Sequence, residues 1–203
     1  MSSSTNKLLL VYQILKDNEL KSIRLDYLLL NRLINNDFSN SDLRFIHKLV
    51  YGVTRNKRTL DFYIEKTYDG KYKKLLTKFK ILLRIGLYQI HYMNSVPDYA
   101  SVNTVVELAK IIDKNKVGLV NAILRNLSKL DLIDNKNIDK LSIKFNHPDW
   151  MIDKWSKVHE KETLLSILEA NNREPIIWFR INSLKTNQLE VKSILKNIGV
   201  EIK

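Results

Sequence analysis

One stretch of this chain, Ile81–Met93, is apolar on nearly every side when it is arranged as a helix. Its apolar residues are Ile81, Leu82, Leu83, Ile85, Leu87, Tyr88, Ile90 and Tyr92. A helix without a polar face is stable only where other helices surround it, so this stretch predicts the central helix of a bundle. Gly86 lies in its middle, where glycine costs about 1 kcal/mol relative to alanine. That cost indicates the close approach of a crossing helix, which a Cβ atom would prevent.

Further helices are predicted on both sides of this segment, because apolar residues recur there at intervals of three and four. The stripes are Leu8–Leu15; Ile23, Tyr27, Leu30 and Ile34; Phe45–Val53; Val102–Ile112; and Val117–Leu127. Asn40–Asp42 offers N-caps for the third of these helices, whose stripe lapses at Arg55–Arg58 and resumes at Leu60. With only 5 Gly and 3 Pro in 203 residues, the sequence predicts a mainly α fold rather than turn-rich β structure.

The pattern changes after residue 130. The expected elements are a polar linker at 131–140, short helices at His147–Trp155 and Glu162–Ala170, a strand at Ile176–Ile181, a helix at Gln188–Asn197 and a second strand at Val200–Ile202. Gly199 is expected to end the last helix. Since a strand–helix–strand piece is not a complete domain, we expect a helical domain at 1–130, a linker with connector helices at 131–172, and the truncated start of a small α+β domain at 173–203.

The positive charge of the chain is concentrated in its first two-thirds. The net charge is +12, and residues 1–130 hold 22 Lys and Arg against 11 Asp and Glu. A basic domain next to a nearly neutral one indicates a polyanionic partner, most simply a nucleic acid. The alternative is a solvated surface in a generally lysine-rich protein.

Two groups of basic residues are candidates for contacts with phosphates. The first consists of Arg55, Lys57 and Arg58, and the second of Lys71, Lys74 and Lys78, in a stretch that also holds Lys73, Lys80 and Arg84. Positions 71, 74 and 78 would share one face of a helix, so that their charges would add. Tyr51 and Tyr63 flank the first group and either stack on bases or belong to the core. For both groups the alternative is an ordinary solvated helix face.

We expect no catalytic, metal-binding or cofactor-binding residues in this chain. It contains no cysteine, which excludes disulfides, thiolate metal ligands and a thiol nucleophile. Its four histidines have no ligand-like spacing, and glycine-rich phosphate loops and zinc-binding motifs do not occur. The polar segment Met1–Lys7 is unlike a signal peptide, and no apolar run approaches the roughly 18 residues of a membrane span. These features favour a cytoplasmic protein that binds neither a metal nor a membrane.

Four segments resemble the NusB family, in the order in which that family has them. They are Asp42–Asp61, Leu83–Ile90, Val96-Pro97 with Val102–Lys110, and Gly118–Arg125. Three later segments, Asn146–Trp150, Asn171-Asn172 and Arg180–Thr186, resemble the connector and small α+β domain of the RsmB-type (Sun or Fmu) 16S ribosomal RNA cytosine-C5 methyltransferases. The resemblance implies two packed helical bundles, with Asp42–Asp61 as one long helix. It also implies that the N-terminus contacts RNA, and Lys7 is the basic residue of this chain near the N-terminus.

The resemblance further implies that the chain is the RNA-binding N-terminal part of such a methyltransferase, with ribosomal RNA as its partner. In full-length relatives a catalytic domain binds S-adenosylmethionine and uses a cysteine, which these 203 residues lack. Cytosine needs a nucleophile at C6 before C5 can attack a methyl donor, so we expect the chain to be inactive alone. One alternative is a NusB-type transcription antitermination factor with a protein partner, and another is a structural relic of a truncated gene. The tail from Phe145 onward favours the methyltransferase.

Overall fold

The computed structural model describes residues 3–34, 36–93, 97–130, 138–173, 178 and 180–199. The chain divides into two compact units, Met1–Asn172 and Arg173–Lys203. The described residues are mainly α-helical, as the sequence predicts, and none of them lies in a β-strand. None of the described helices is both long and apolar enough to cross a lipid bilayer.

The first unit is built around one buried helix. Its helices are α1 (Ser3–Lys21), α2 (Leu25–Leu33), α3 (Asn40–Arg55), α4 (Lys57–Thr67), α5 (Thr77–Tyr92), α6 (Asp98–Ile112), α7 (Val117–Leu127), α8 (Leu141–Lys144), α9 (Asp149–Ser156) and α10 (Lys161–Asn172). Short 3-10 turns at Tyr72–Lys74 and Lys114–Lys116 precede α5 and α7. Every residue of Ile81–Ile90 is buried, and α5 contacts α1, α3, α4, α6 and α7. The predicted central helix is therefore confirmed.

Two glycines allow neighbouring helices to approach each other closely. A Cβ atom on Gly86 of α5 would lie 2.6 Å from Leu124 Cδ2 of α7, and one on Gly52 of α3 would lie 2.1 Å from Tyr88 Cζ of α5. Carbon atoms in contact are ordinarily about 3.5–4.0 Å apart, so a side chain at either position would displace its neighbour. The close approach predicted at Gly86 is confirmed, and Gly52 allows the same for α3 and α5.

The segment Asp42–Asp61 forms two helices instead of the one long helix that the resemblance implies. α3 ends at Arg55, and α4 starts at Lys57. Asn56 lies between them with φ −94° and ψ 12°, and its side-chain amide donates a hydrogen bond to Gly52 O at 2.9 Å. The break falls where the apolar stripe lapses in the sequence, so the pattern located it correctly.

The second helix turns a different face to the core from the one predicted. Tyr27, Leu30 and Ile34, which belong to the apolar stripe of the sequence, are 62%, 65% and 72% exposed, while Leu28 and Leu29 are buried. α2 is only 9 residues long and carries apolar residues on more than one side. The apolar period therefore located the helix correctly but did not identify the side that packs against α1 and α3.

Residues 138–172 pack against the preceding helices through a contact of α8 with α4. The Thr59 hydroxyl of α4 donates to Ile143 O at 2.6 Å, and the Thr59 backbone N–H donates to Asn146 Oδ1 at 3.0 Å. Asn146 has φ 56°, a left-handed conformation that asparagine adopts more readily than most residues. Of the linker predicted at 131–140, only the part from residue 138 is described. The connector helices belong to the first compact unit.

In the second unit, α11 (Gln188–Asn197) has the bounds that the sequence predicts. Asn187 caps its N-terminus through its side chain. Gly199 follows the helix with φ 77°, the left-handed conformation of a C-terminal stop, so that prediction is confirmed. The strand predicted at Val200–Ile202 and half of the one predicted at Ile176–Ile181 lie outside the described residues. The described residues of the latter, Trp178, Arg180 and Ile181, are not in a strand, so the strand prediction is wrong for them.

Candidate nucleic-acid interface

Exposed residues along one side of α3 give this helix a positively charged face. They are Arg44, Lys48, Tyr51 and Arg55, followed by Arg58 in the first turn of α4. We refer to these five residues as the basic ridge. The four on α3 are spaced by intervals of four, three and four, which place side chains above one another on a helix. Because Ile46, Leu49, Val50 and Val53 hold the other side of α3 in the core, this face is directed to solvent.

Three cations of the basic ridge have no carboxylate partner in the part of the chain that the structure describes. These are Arg44, Lys48 and Arg55. α3 contains a single acidic residue, Asp42, and its carboxylate is paired with Lys7 at 2.6 Å. The face therefore keeps a concentrated positive charge, which is the arrangement that attracts a phosphate backbone.

The predicted group Arg55, Lys57 and Arg58 is divided by the structure. Lys57 Nζ lies 3.3 Å from Glu19 Oε1 of α1, and Arg58 Nη1 lies 3.5 Å from Asp149 Oδ2 of α9. Both pairs are partly exposed to solvent, where an ion pair contributes only about 0–1 kcal/mol and opens at little cost. Of this group, Arg55 alone keeps an uncompensated charge among the described residues.

The two tyrosines beside the first basic group have different environments. Tyr51 is 39% exposed within the basic ridge, and its ring centre lies 6.1 Å from that of His47. Tyr63 is buried and packs edge-on against Phe62. The sequence left open whether each tyrosine is available to stack on a base or belongs to the core. In the structure Tyr51 is accessible to a base, and Tyr63 belongs to the core.

Lys7 joins α1 to the start of α3. Its Nζ lies 2.6 Å from Asp42 Oδ1 and 5.5 Å from the centre of the Phe45 ring. Asp42 also forms a capping box with Ser39, which is the N-cap instead of a residue of Asn40–Asp42. Hydrogen bonds from Lys7 and from Ser39 hold the pKa of Asp42 below its usual range, so the pair stays charged. An RNA contact by Lys7 stays a prediction, and it would compete with this ion pair.

The second predicted group does not share a helical face, because α5 begins only at Thr77. Lys71 precedes and Lys74 ends a single 3-10 turn, whose residues are wound more tightly than those of an α-helix. Lys78 lies in the first turn of α5 with its Nζ 2.8 Å from Asp113 Oδ2. Lys78 is therefore neutralised, whereas Lys71 and Lys74 are exposed without a carboxylate partner among the described residues.

Arg84, in the same basic stretch, is buried and is not accessible to a phosphate. Its Nη1 lies 2.6 Å from Glu19 Oε2, and its Nε lies 2.5 Å from Asp61 Oδ1. Tyr72 donates its hydroxyl hydrogen to the same Asp61 carboxylate. Burial lowers the pKa of Arg84, but hydrogen bonds to Asp61 and its charge outweigh burial and leave that pKa raised. We refer to these four residues as the Arg84 network, which links α1, α4 and α5.

Sequence reasoning missed two residues of the basic ridge, Arg44 and Lys48. The signal was present, since Lys48 lies seven and Arg44 eleven residues before Arg55, and both intervals place them on the helical face of Arg55. Nothing in the sequence signalled that Lys57 and Lys78 form ion pairs. The carboxylates that neutralise Lys57 and Lys78 come from helices distant in sequence.

The described residues do not form a site for a metal or for S-adenosylmethionine. Among them, no group of three or more His, Asp or Glu side chains lies close enough together to hold a metal ion. Gly52 and Gly86 lie inside packed helices, Gly118 lies in α7, Gly70 lies in the loop after α4, and Gly199 follows α11. The five glycines of the chain are thus far apart in sequence and do not form a glycine-rich loop against which a nucleoside cofactor could lie. The residues present therefore do not fit that cofactor.

Two family models match the chain. The model described as the NusB family matches residues 5–129, which is more than half of the chain. The model described as the Methyltr_RsmF/B-like, ferredoxin-like domain matches residues 147–203. Along the chain, the two models match in the same order as the sequence segments that resemble these families.

Curated relatives resemble most of the chain and are much longer. The chain is 33% identical over 197 residues to the "Probable ribosomal RNA small subunit methyltransferase B" of Synechocystis, covering 94% of this chain and 44% of that protein. It is 30% identical over 182 residues to the protein of the same name from Bacillus subtilis, covering 86% of this chain and 40% of that protein. The chain thus spans less than half the length of these relatives.

A solved structure of Thermotoga maritima NusB has a similar fold. It superposes with a TM-score of 0.58 at 18% identity, covering 68% of this chain and 98% of that chain. At this identity the similarity shows the fold alone. The NusB-like helical fold predicted from the sequence is confirmed.

Proposed function

Because this chain belongs to the NusB family, we propose that it is the RNA-binding part of a ribosomal RNA small subunit methyltransferase and that its basic ridge contacts the RNA. The names of its relatives support the ribosomal substrate, and the match of residues 147–203 to a methyltransferase-associated domain supports the methyltransferase over a NusB-type antitermination factor. The proposal places the protein in the cytoplasm, with the ribosomal RNA.

The observation that carries this proposal is the row of unpaired cations on α3. Arg44, Lys48 and Arg55 can each approach a phosphate without first losing an internal ion pair. Contacts with phosphates release condensed counterions and supply affinity that does not depend on base sequence. Tyr51 lies between these cations, where an exposed ring can stack on an unpaired base. The ridge is therefore suited to single-stranded or looped RNA.

The methyl transfer itself belongs to residues other than these 203. The chain has no cysteine to form a bond with cytosine C6, and its described residues do not fit S-adenosylmethionine. Its role in the whole enzyme is to bind and orient the RNA. Since RNA binding by these residues requires no cofactor, it is measurable on this chain alone.

A matched pair of triple variants tests the basic ridge. One variant carries Arg44→Ala, Lys48→Ala and Arg55→Ala, and the other replaces three exposed cations elsewhere, Arg125→Ala, Lys129→Ala and Lys154→Ala. Both lose the same charge. We expect the ridge variant to bind a labelled single-stranded ribosomal RNA fragment roughly tenfold more weakly or worse in fluorescence anisotropy, with a much smaller change for the second variant. Equal losses in both variants would show that only net charge matters and would refute the ridge.

The alternative, an antitermination factor, is compatible with the fold, since the superposition covers 98% of the Thermotoga NusB chain. In this alternative function, the same helical domain contacts the RNA, and residues beyond 130 do not contribute to RNA specificity. Competition between small subunit ribosomal RNA and an unrelated RNA of equal length distinguishes the two functions. A preference for the ribosomal RNA supports the methyltransferase, and its absence supports the alternative.

A further inference from the structure

A pocket of about 320 Å³ opens beside the 3-10 turn that precedes α5. It is lined by Tyr68, Lys71, Lys74, Leu75, Leu76, Phe79, Lys116 and Leu119. These residues come from the segment between α4 and α5, the first turn of α5, the 3-10 turn Lys114–Lys116 and the start of α7, so residues distant in sequence meet there. None of the residues of the basic ridge lines it.

Positive charge surrounds this pocket. Lys71, Lys74 and Lys116 are exposed, and none of them forms an ion pair with a carboxylate of the described residues. No acidic residue is in the lining. Two acidic residues are nearby in sequence. Asp69, between Tyr68 and Lys71, is exposed and forms no ion pair among the described residues. The Asp113 carboxylate, whose charge also acts on Lys116, is bonded to Lys78 at 2.8 Å. The three rim lysines are therefore left to attract an anion from solution.

The inner wall of the pocket is apolar. Phe79 and Leu75 are buried, and Leu119 and Tyr68 are partly buried beside them. A cationic rim around an apolar wall fits a ligand with an anionic end and a flat, weakly polar body. Its volume is at the lower end of the roughly 300–1,000 Å³ of small-molecule sites, which suits one nucleotide better than a larger molecule.

The turn that carries two of the rim lysines is anchored. Tyr72, between Lys71 and Lys74, donates its hydroxyl hydrogen to Asp61 of the Arg84 network, and its ring lies 4.6 Å from Lys80 Nζ. Burial raises the pKa of Tyr72, which keeps the hydroxyl protonated as a donor. An anchored turn loses less conformational freedom when it binds a ligand than a mobile loop would.

We propose that this pocket binds one unstacked nucleotide of single-stranded RNA, with its phosphate at Lys71, Lys74 and Lys116 and its base against the apolar wall. The choice of RNA rests on the proposed function, while the cationic rim and apolar wall are observed independently of the basic ridge. The chain thereby holds RNA at two places, an extended ridge that follows the backbone and a pocket that accepts one base.

The test is a titration of the full chain with each of the four ribonucleoside 5′-monophosphates and with inorganic phosphate, followed by NMR. We expect saturable shifts in residues that line the pocket for at least one nucleotide. Inorganic phosphate should bind about fivefold more weakly or worse, since it lacks the base contact. Equal affinity for phosphate and nucleotide, or no saturable shift at the pocket with any nucleotide, would overturn the proposal.

Two variants and a control locate the nucleotide. Lys74→Ala and Lys116→Ala should each weaken nucleotide binding by roughly three- to tenfold. Lys114→Ala removes an exposed lysine from the same short turn as Lys116 without touching the pocket lining, and it should change little. Equal effects of all three substitutions would overturn the site.

The same titration separates this inference from the proposed function. Ridge-dependent RNA binding without nucleotide binding at the pocket refutes the pocket and leaves the proposed function in place. Nucleotide binding at the pocket, together with unchanged RNA affinity in the triple ridge variant, refutes the ridge and supports the pocket.

Discussion

The backbone N–H of Thr59 donates to Asn146 Oδ1 at 3.0 Å, although 87 residues separate the two. Asn146 donates in turn from Nδ2 to the Thr59 hydroxyl oxygen at 2.9 Å. That hydroxyl donates its own hydrogen to Ile143 O at 2.6 Å. A single threonine of α4 thus fixes α8 and the turn that follows it.

Replacing Thr59 by valine keeps the shape of the side chain and removes its hydroxyl. Because Thr59 is 1% exposed, Ile143 O and the Asn146 amide lose partners that water cannot easily replace. We expect a loss of about 1–3 kcal/mol in the free energy of unfolding, measured with urea. Thr104→Val is the control, since that hydroxyl bonds only within its own helix. Similar losses in both variants would show that the hydroxyl of Thr59 has no special role.

Arg84→Leu should destabilise the chain more than any exposed arginine substitution. It leaves the Glu19 and Asp61 carboxylates facing a side chain without charge. Breaking a largely buried ion pair in this way costs about 3–5 kcal/mol. The control is Arg125→Leu on the exposed side of α7. Thermal and urea unfolding measure the difference, and a change below about 1 kcal/mol for Arg84→Leu would contradict the importance of the network.

The connector should lose stability in acid through Asp149. The hydrogen bond from Lys140, then that from Ser142 and the charge of Arg58, lower the pKa of Asp149 to about 2. An aspartate in an unfolded chain has a pKa of about 3.9. The pKa of Asp149 is lower in the folded state than in the unfolded state. Ionised Asp149 therefore stabilises the fold above about pH 4, and this stabilisation disappears as the pH falls through about 2.

Asp149→Asn removes this titration and tests its effect. We expect the variant to be less stable than the wild type at neutral pH, and the difference to shrink between about pH 4 and 2. The comparison is made by urea unfolding across that range. Asp153→Asn changes an exposed carboxylate of the same helix that has no ion-pair partner among the described residues, and it should behave like the wild type. A constant difference at all pH values would contradict the assignment.

The salt dependence of RNA binding should distinguish free cations from paired ones. Each phosphate contact contributes about −0.7 to the slope of log affinity against log salt for single strands. Removing Arg44, Lys48 and Arg55 together should therefore flatten the slope by about 2. Removing Lys57 and Arg58 should flatten it by less than about 0.7 per residue lost, because both already have carboxylate partners. Equal changes per residue in the two variants would show that pairing is irrelevant.

The purified chain should transfer no methyl group from S-adenosylmethionine to ribosomal RNA. The reason is the lack of a thiol in its sequence together with the poor fit of its glycines to the cofactor. A radiolabel assay with unmodified small subunit RNA measures this, with a full-length relative as the positive control. Cofactor-dependent incorporation above background would contradict the expectation.

The sequence predicted the core better than the surface. Ile81–Met93 has no polar face and contains a glycine, and both features depend only on local pattern, so the central helix and the close approach at Gly86 could be derived. α2 is short and apolar on several sides, and there the pattern pointed to Tyr27 and Leu30, which are exposed. Periodicity identifies a face only when a helix has a clear polar side to oppose it.

Charge in the sequence did not show which cations are free. Arg84 and Lys78 lie in the same basic stretch as Lys71 and Lys74, yet the first two are held by carboxylates and the last two are exposed. The partners come from other helices, and tertiary contacts between charges leave no local pattern. For this reason the sequence could locate a basic region and could not identify its available residues.

The separation of free and paired cations gives the molecule a preferred side in its collisions with RNA. An ion pair acts on a distant charge as a dipole, whose field declines with distance faster than that of a lone cation. Salt limits the reach of either field to about 8 Å at physiological ionic strength. Within that distance, an approaching strand is turned more by lone cations such as Arg44, Lys48 and Arg55 than by cations that are already paired with carboxylates. The helix α3 thereby acts as an electrostatic guide, which selects the orientation of an encounter before any specific contact forms.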